Sequence, residues 1–139
     1  MVFCGSISVN AIPQDEDQPV DGRLSPEVKE FIDKYFHHSR VESFESEDGG
    51  SKFDIKLSDG YEIEIKSDGQ WENIEAPAGA VMPVNLVKKF LPRKSYDYLV
   101  NRGVADKVEK LSFDFNRGFE VDVAGQGSDM NFTRTGLTK

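Results

Sequence analysis

Apolar and polar residues alternate with a period of two along much of this chain. Phe53, Ile55 and Leu57 fall on one side of an extended strand, with Asp54 and Lys56 on the other. After Asp59-Gly60, Tyr61, Ile63 and Ile65 return to the first side, and Glu62, Glu64 and Lys66 oppose them. Further on, Leu111, Phe113 and Phe115 alternate. Phe119, Val121 and Val123 then follow Arg117-Gly118, with Glu120 and Asp122 opposite, and Met130 and Phe132 make the last inward pair. This is the period of half-buried antiparallel sheet, in which successive side chains point to opposite faces. Asp59-Gly60 and Asp68-Gly69 mark hairpin turns, because tight turns need residues that accept positive φ.

Two stretches change to a helical period. Val28, Phe31, Ile32, Tyr35 and Phe36 follow the i, i+3, i+4, i+7, i+8 spacing of one buried face, while Lys29, Glu30, Asp33 and Lys34 take the wet face. Ser25 is a good N-cap for this helix and Pro26 suits its first position. In the second half, Pro83 and Pro92 suit first-turn positions and would break a helix anywhere else. They predict a short helix over Val84 to Leu91 and another from Arg93 to Arg102, stopped by Gly103.

The two halves echo each other at an offset of 67 residues. Leu24 maps onto Leu91, Phe31-Ile32 onto Tyr98-Leu99, Val41-Glu42 onto Val108-Glu109, Gly60 onto Gly127, Ile65 onto Phe132 and Gly69 onto Gly136. Turn glycines at a common offset read as duplication. The expected architecture is α+β: two tandem repeats, residues 24–80 and 81–139, each a helix followed by an antiparallel β-meander, with the helices on one face of the sheet. Residues 1–23 read as a tail. Met1 to Ala11 is either a signal-peptide remnant or a disordered end, and Ile12 to Arg23 is an acidic, proline-containing linker.

The runs PEVKEFIDKYF (Pro26 to Phe36) and KFDIKLSDGYEIEIKSDGQW (Lys52 to Trp71) resemble the PepSY-like domain family, also described as beta-lactamase-inhibitor-like. LPRKSYDYLV (Leu91 to Val100) and GFEVDV (Gly118 to Val123) repeat the pattern more loosely. The second half lacks a counterpart of Trp71, and Arg102-Gly103 stands where the first half has Tyr35-Phe36. The resemblance implies a periplasmic or secreted bacterial protein with no catalytic centre that binds through a sheet face. It does not imply inhibition of a beta-lactamase, since fold does not fix function.

Charge narrows the partner. The 139 residues carry 25 acidic and 17 basic side chains, a formal net charge of −8. That argues against nucleic acid and against an anionic membrane surface. No run of 18 apolar residues exists to span a bilayer. The charge is uneven: Leu24 to Ala80 holds 14 acidic and 6 basic residues, Val81 to Lys139 holds 7 and 10. This asymmetry would suit assembly between copies, or is merely solvated surface.

The residues offer little catalytic chemistry. The one cysteine, Cys4, lies in the tail, and the two histidines, His37 and His38, are adjacent at a helix end. Neighbouring helical residues point about 100° apart and rarely share a metal. Gly125-Gln126-Gly127 is too short for a phosphate loop, and Asp48-Gly49-Gly50 lacks the ligand series of a calcium loop. No catalytic residue, metal or cofactor is expected. The expected role is a non-enzymatic exported binding module, inhibitor-like, for an unidentified protein or peptide of basic character, its own oligomeric state left open. A carboxylate-based envelope hydrolase and a structural or assembly subunit are the alternatives. The candidate binding face carries Asp54, Lys56, Glu62, Glu64, Glu120 and Asp122, with Trp71 either at its rim as an anchor or covering its own core.

Overall fold

The computed structural model describes residues 23–139; the tail readings for residues 1–22, Cys4 included, lie outside the described residues. Ten residues, Pro26–Tyr35, form α1, and the strands are β1 (Val41–Glu47), β2 (Lys52–Leu57), β3 (Glu62–Lys66), β4 (Trp71–Glu75), β5 (Val108–Asp114), β6 (Gly118–Val123) and β7 (Met130–Phe132). Between β4 and β5 come α2 (Val84–Phe90) and α3 (Arg93–Asn101). The strands hydrogen-bond in one seven-stranded sheet in the order β1-β2-β3-β4-β5-β6-β7. Consecutive neighbours joined by short turns run antiparallel.

The expected pair of tandem helix-then-meander repeats is not what forms, although the chain is α+β in general terms. A single β-dominated sheet runs through the residue 80 boundary: β4 pairs with β5 through Asn73↔Ser112, Ile74↔Leu111 and Glu75↔Lys110. Among the described residues the halves also differ in content, with one α-helix and four strands before residue 80 and two short α-helices and three strands after it. The glycine correspondence holds only in part. Gly69 and Gly136 both take positive φ, at 94° and 97°, but Gly60 does so at 97° while the left-handed residue in the matching loop is Gly125, not Gly127. An offset in sequence does not dictate hydrogen-bond partners, which register alone decides.

By contacts the described residues fall into two compact units, one comprising residues 23–58 with Ile65–Gln70, the other Asp59–Glu64 with Trp71–Lys139. In the first, Ser25 caps α1 by accepting from Val28 N at 3.3 Å, and its hydroxyl donates to the Ser67 carbonyl oxygen at 2.6 Å. The helix buries Val28, Phe31 and Ile32, as its periodicity requires. Each such side chain contributes roughly 1.5–3 kcal/mol when removed from water. Strand β2 alternates as predicted: Phe53, Ile55 and Leu57 are buried, Asp54 is half-buried and Lys56 is exposed.

In the second unit, α2 and α3 cover the apolar side of the sheet. Phe90 of α2 meets Trp71 of β4 edge-on at 5.4 Å between ring centroids, and Tyr98 of α3 meets Phe132 of β7 at 5.6 Å. Both helices begin where the prolines predict, directly after Pro83 and Pro92, which occupy the cap position and offer no side-chain bond. Ser95 of α3 is wholly buried, and its hydroxyl is satisfied by the Gly136 carbonyl oxygen at 3.0 Å.

Candidate binding face

The sheet register of the second unit builds its polar face in rows. Ile74, Leu111, Val121 and Met130 align across β4, β5, β6 and β7 on the apolar side. One residue along, on the other side, Asn73 aligns with Ser112, Ser112 with Glu120 and Glu120 with Asn131. One residue the other way, Glu75 aligns with Lys110 and Lys110 with Asp122. Strand alternation therefore gives two polar rows flanking an apolar one.

The first row is tied by side chains. Ser112 Oγ donates to Asn73 Oδ1 at 2.6 Å, and Asn73 Nδ2 donates to Glu64 Oε1. Glu64 is thus fixed by a strand-to-strand chain of amide and hydroxyl, and its carboxylate stays an acceptor at the face.

Three carboxyl groups stand close together across the two rows: Glu120 of the first, Asp122 of the second, and Asp129. Asp129 lies just before β7 and bonds through its side chain to both Glu120 and Asp122. Burial pushes the Asp122 carboxyl up to about 6; the hydrogen bond to Asp129 and that residue's negative charge push the same way, while Lys110 opposes them. Glu120 is also raised, first by its hydrogen bond to Asp129 and then by burial. Asp129 is held below the usual carboxylate range because it accepts from both. Like charges cannot all ionise in one place, so protons are shared.

The remaining expected face residues lie on β2 and β3. In the first unit Asp54 aligns with Glu45 and Lys56 with Ser43 across β1 and β2. Glu62 of β3 is exposed. Trp71 is not at the rim of this face: it is 8% exposed, on the apolar side, with Phe90, Phe113 and Phe119 all within 6.1 Å between ring centroids. Its flat ring fills the space where α2 meets the sheet, so it is a core residue. His37 and His38 are exposed in the turn after α1, their ring centroids 3.9 Å apart.

Four residues of the face escaped the sequence reading. Asn73 and Ser112 sit in strands whose polar members gave no sign of bonding each other. Lys110 is legible only once β5 and β6 are in register. Asp129 follows a loop, Ala124 to Ser128, that carries no periodicity.

No helix among the described residues is long and apolar enough to cross a membrane. No family model matches the chain, and no curated protein matches it. Solved structures share its fold, among them the following three. A protein of Bacteroides vulgatus described as a "putative periplasmic protein of unknown function" is 23% identical, with 85% of this chain and 90% of that one covered at a TM-score of 0.68. A "putative calcium-regulated periplasmic protein" of Bacteroides thetaiotaomicron is 18% identical, covering 85% and 89% at 0.66. A second Bacteroides vulgatus "putative periplasmic protein", from the DUF2874 family, is also 18% identical, covering 85% and 89% at 0.65.

Proposed function

We propose that this chain is an exported, periplasmic, non-enzymatic binding module that takes a basic protein or peptide on the polar face of its sheet. The observation that carries the reading is the pair of polar rows in the second unit. Their carboxylates Glu64, Glu120 and Asp122 lie opposite the apolar row that α2 and α3 cover. The periplasmic descriptions of the structural neighbours support the compartment. The inhibitor-like character implied by the PepSY-like resemblance belongs to this proposal too. An acidic face meeting a basic partner gives fast, salt-sensitive association.

The test is capture of the partner by the immobilised full chain from a periplasmic extract, with cross-links mapped by mass spectrometry. It is run with calcium and with chelator, because one neighbour is described as calcium-regulated. Glu62→Lys with Glu120→Lys should weaken the captured complex at least about tenfold at low salt, with little change in unfolding midpoint. Cross-links confined to the exposed sides of α2 and α3, or an unchanged affinity of the double variant, would sink the reading.

A further inference from the structure

The ladder between β6 and β7 is short. Phe119↔Phe132, Glu120↔Asn131 and Val121↔Met130 pair, and it stops there. The next positions in the same register are Asp122 and Asp129. Two carboxylates directly opposite each other repel and unzip a strand pair. Here they stand at the mouth of the hairpin, where pairing ends and the loop Ala124 to Ser128 begins.

We propose that Asp122 and Asp129 form a proton-operated clasp on the β6–β7 hairpin, open when both carboxylates are charged and closed when one proton is shared between them.

The surroundings favour such a device. At its far end β7 is fixed, because Phe132 is fully buried and bridges to Thr138. Before Met130 the chain is open: Gly125 to Asp129 are exposed, the Gln126 N–H donates to the Val123 carbonyl oxygen at 3.1 Å, and an added methyl at Gly125 or Gly127 would meet nothing within 4 Å. The ladder is held as far as Met130, so the carboxyl pair decides only whether the exposed loop beyond it is tied to β6. Closing takes one proton from water. It binds an oxygen of Asp122, whose O–H then donates to the Asp129 carboxylate. The charged groups facing Asp122 are Lys110 from β5, Glu120 on β6 and Asp129. Lys110 favours the charged form, and Glu120 adds a third carboxyl that also bonds Asp129 and is itself faced by Arg117. The balance leaves Asp122 exchanging its proton near pH 6, well above an ordinary aspartate.

Nuclear magnetic resonance on the labelled full chain tests this independently of any partner. Carboxyl carbon shifts give each titration, and heteronuclear NOEs of the 124–129 amides report loop order on the picosecond-to-nanosecond scale. Between pH 7.5 and 5 the loop should become more ordered, with a midpoint that follows Asp122. In Asp129→Asn the amide donates to Asp122 at every pH. Loop order should then stop depending on pH, and Asp122 should bind its proton at least about tenfold more weakly. Asp122→Asn should likewise abolish the response, and the Trp71 indole signal reports that each variant is folded. A wild-type loop equally ordered at both pH values, or a pH response that survives in a folded Asp129→Asn, overturns the clasp. Should neither variant fold, the wild-type comparison decides: loop ordering that does not track the Asp122 titration overturns it.

Discussion

Gly118 and Phe132 approach so closely that a methyl group on Gly118 would lie 2.2 Å from the Phe132 carbonyl oxygen. Gly118 opens β6 at a φ of 98°, where side chains are rarely accommodated, and the contact is with backbone, which cannot rotate away. Gly118→Ala should therefore cost about 3 kcal/mol or more. Gly127→Ala is the control: it meets nothing within 4 Å and should shift stability by less than about 1 kcal/mol. Urea unfolding of both variants checks the pair, and equal midpoints would refute the packing argument.

Trp71 is the keystone of an aromatic group with Phe90, Phe113 and Phe119. Removing it leaves a cavity where α2 meets the sheet. Trp71→Ala should lose about 3–5 kcal/mol by denaturant melting, and Trp71→Phe clearly less. A Trp71→Ala protein as stable as the wild type would place the ring outside the core.

Ser25 performs two tasks at once, capping α1 and donating to the Ser67 carbonyl. The Ala variant loses the cap, worth about 1 kcal/mol, and also orphans the Ser67 acceptor. Ser25→Ala should accordingly cost about 2 kcal/mol, and Ser25→Gly, which loses the same hydroxyl but is better tolerated at a cap, somewhat less. Thr at this position should restore most of it. Thermal melting of the three variants settles the order.

The carboxyl cluster gives stability an unusual pH dependence. Asp122 is raised in the folded chain to about 6, so the stabilisation its proton brings is fully present below its unfolded value and is lost as pH rises through about 6. Glu120 acts in the same direction, since its carboxyl is raised too. Asp129 is lowered; its contribution is present above its ordinary value and falls away only in stronger acid. Between pH 7 and 5 the net contribution of the cluster therefore rises on acidification. Asp122→Asn, neutral throughout, should melt higher than wild type at pH 7, and the gap should shrink toward pH 5. A gap that stays constant or widens on acidification would contradict the assignment.

Much of the local structure was written in short stretches of sequence. Ser25-Pro26 started α1, Pro83 and Pro92 preceded α2 and α3, and the alternation in Phe53 to Leu57 and Phe119 to Val123 marked strands with their buried sides. Caps, proline geometry and a two-residue period act over a few neighbouring residues, so a single sequence displays them. Tertiary structure alone decided what those elements do together. Nothing near Trp71 in sequence shows that Phe90, Phe113 and Phe119 will enclose it, and the offset that suggested two repeats gave no hint that Ile74 would pair with Leu111. The polar rows and the carboxyl cluster arise the same way, from register between strands distant in the chain. Asp122 and Asp129 are two unremarkable aspartates until β6 and β7 pair, and that pairing is fixed by the burial of Val121 and Phe132 rather than by either carboxylate.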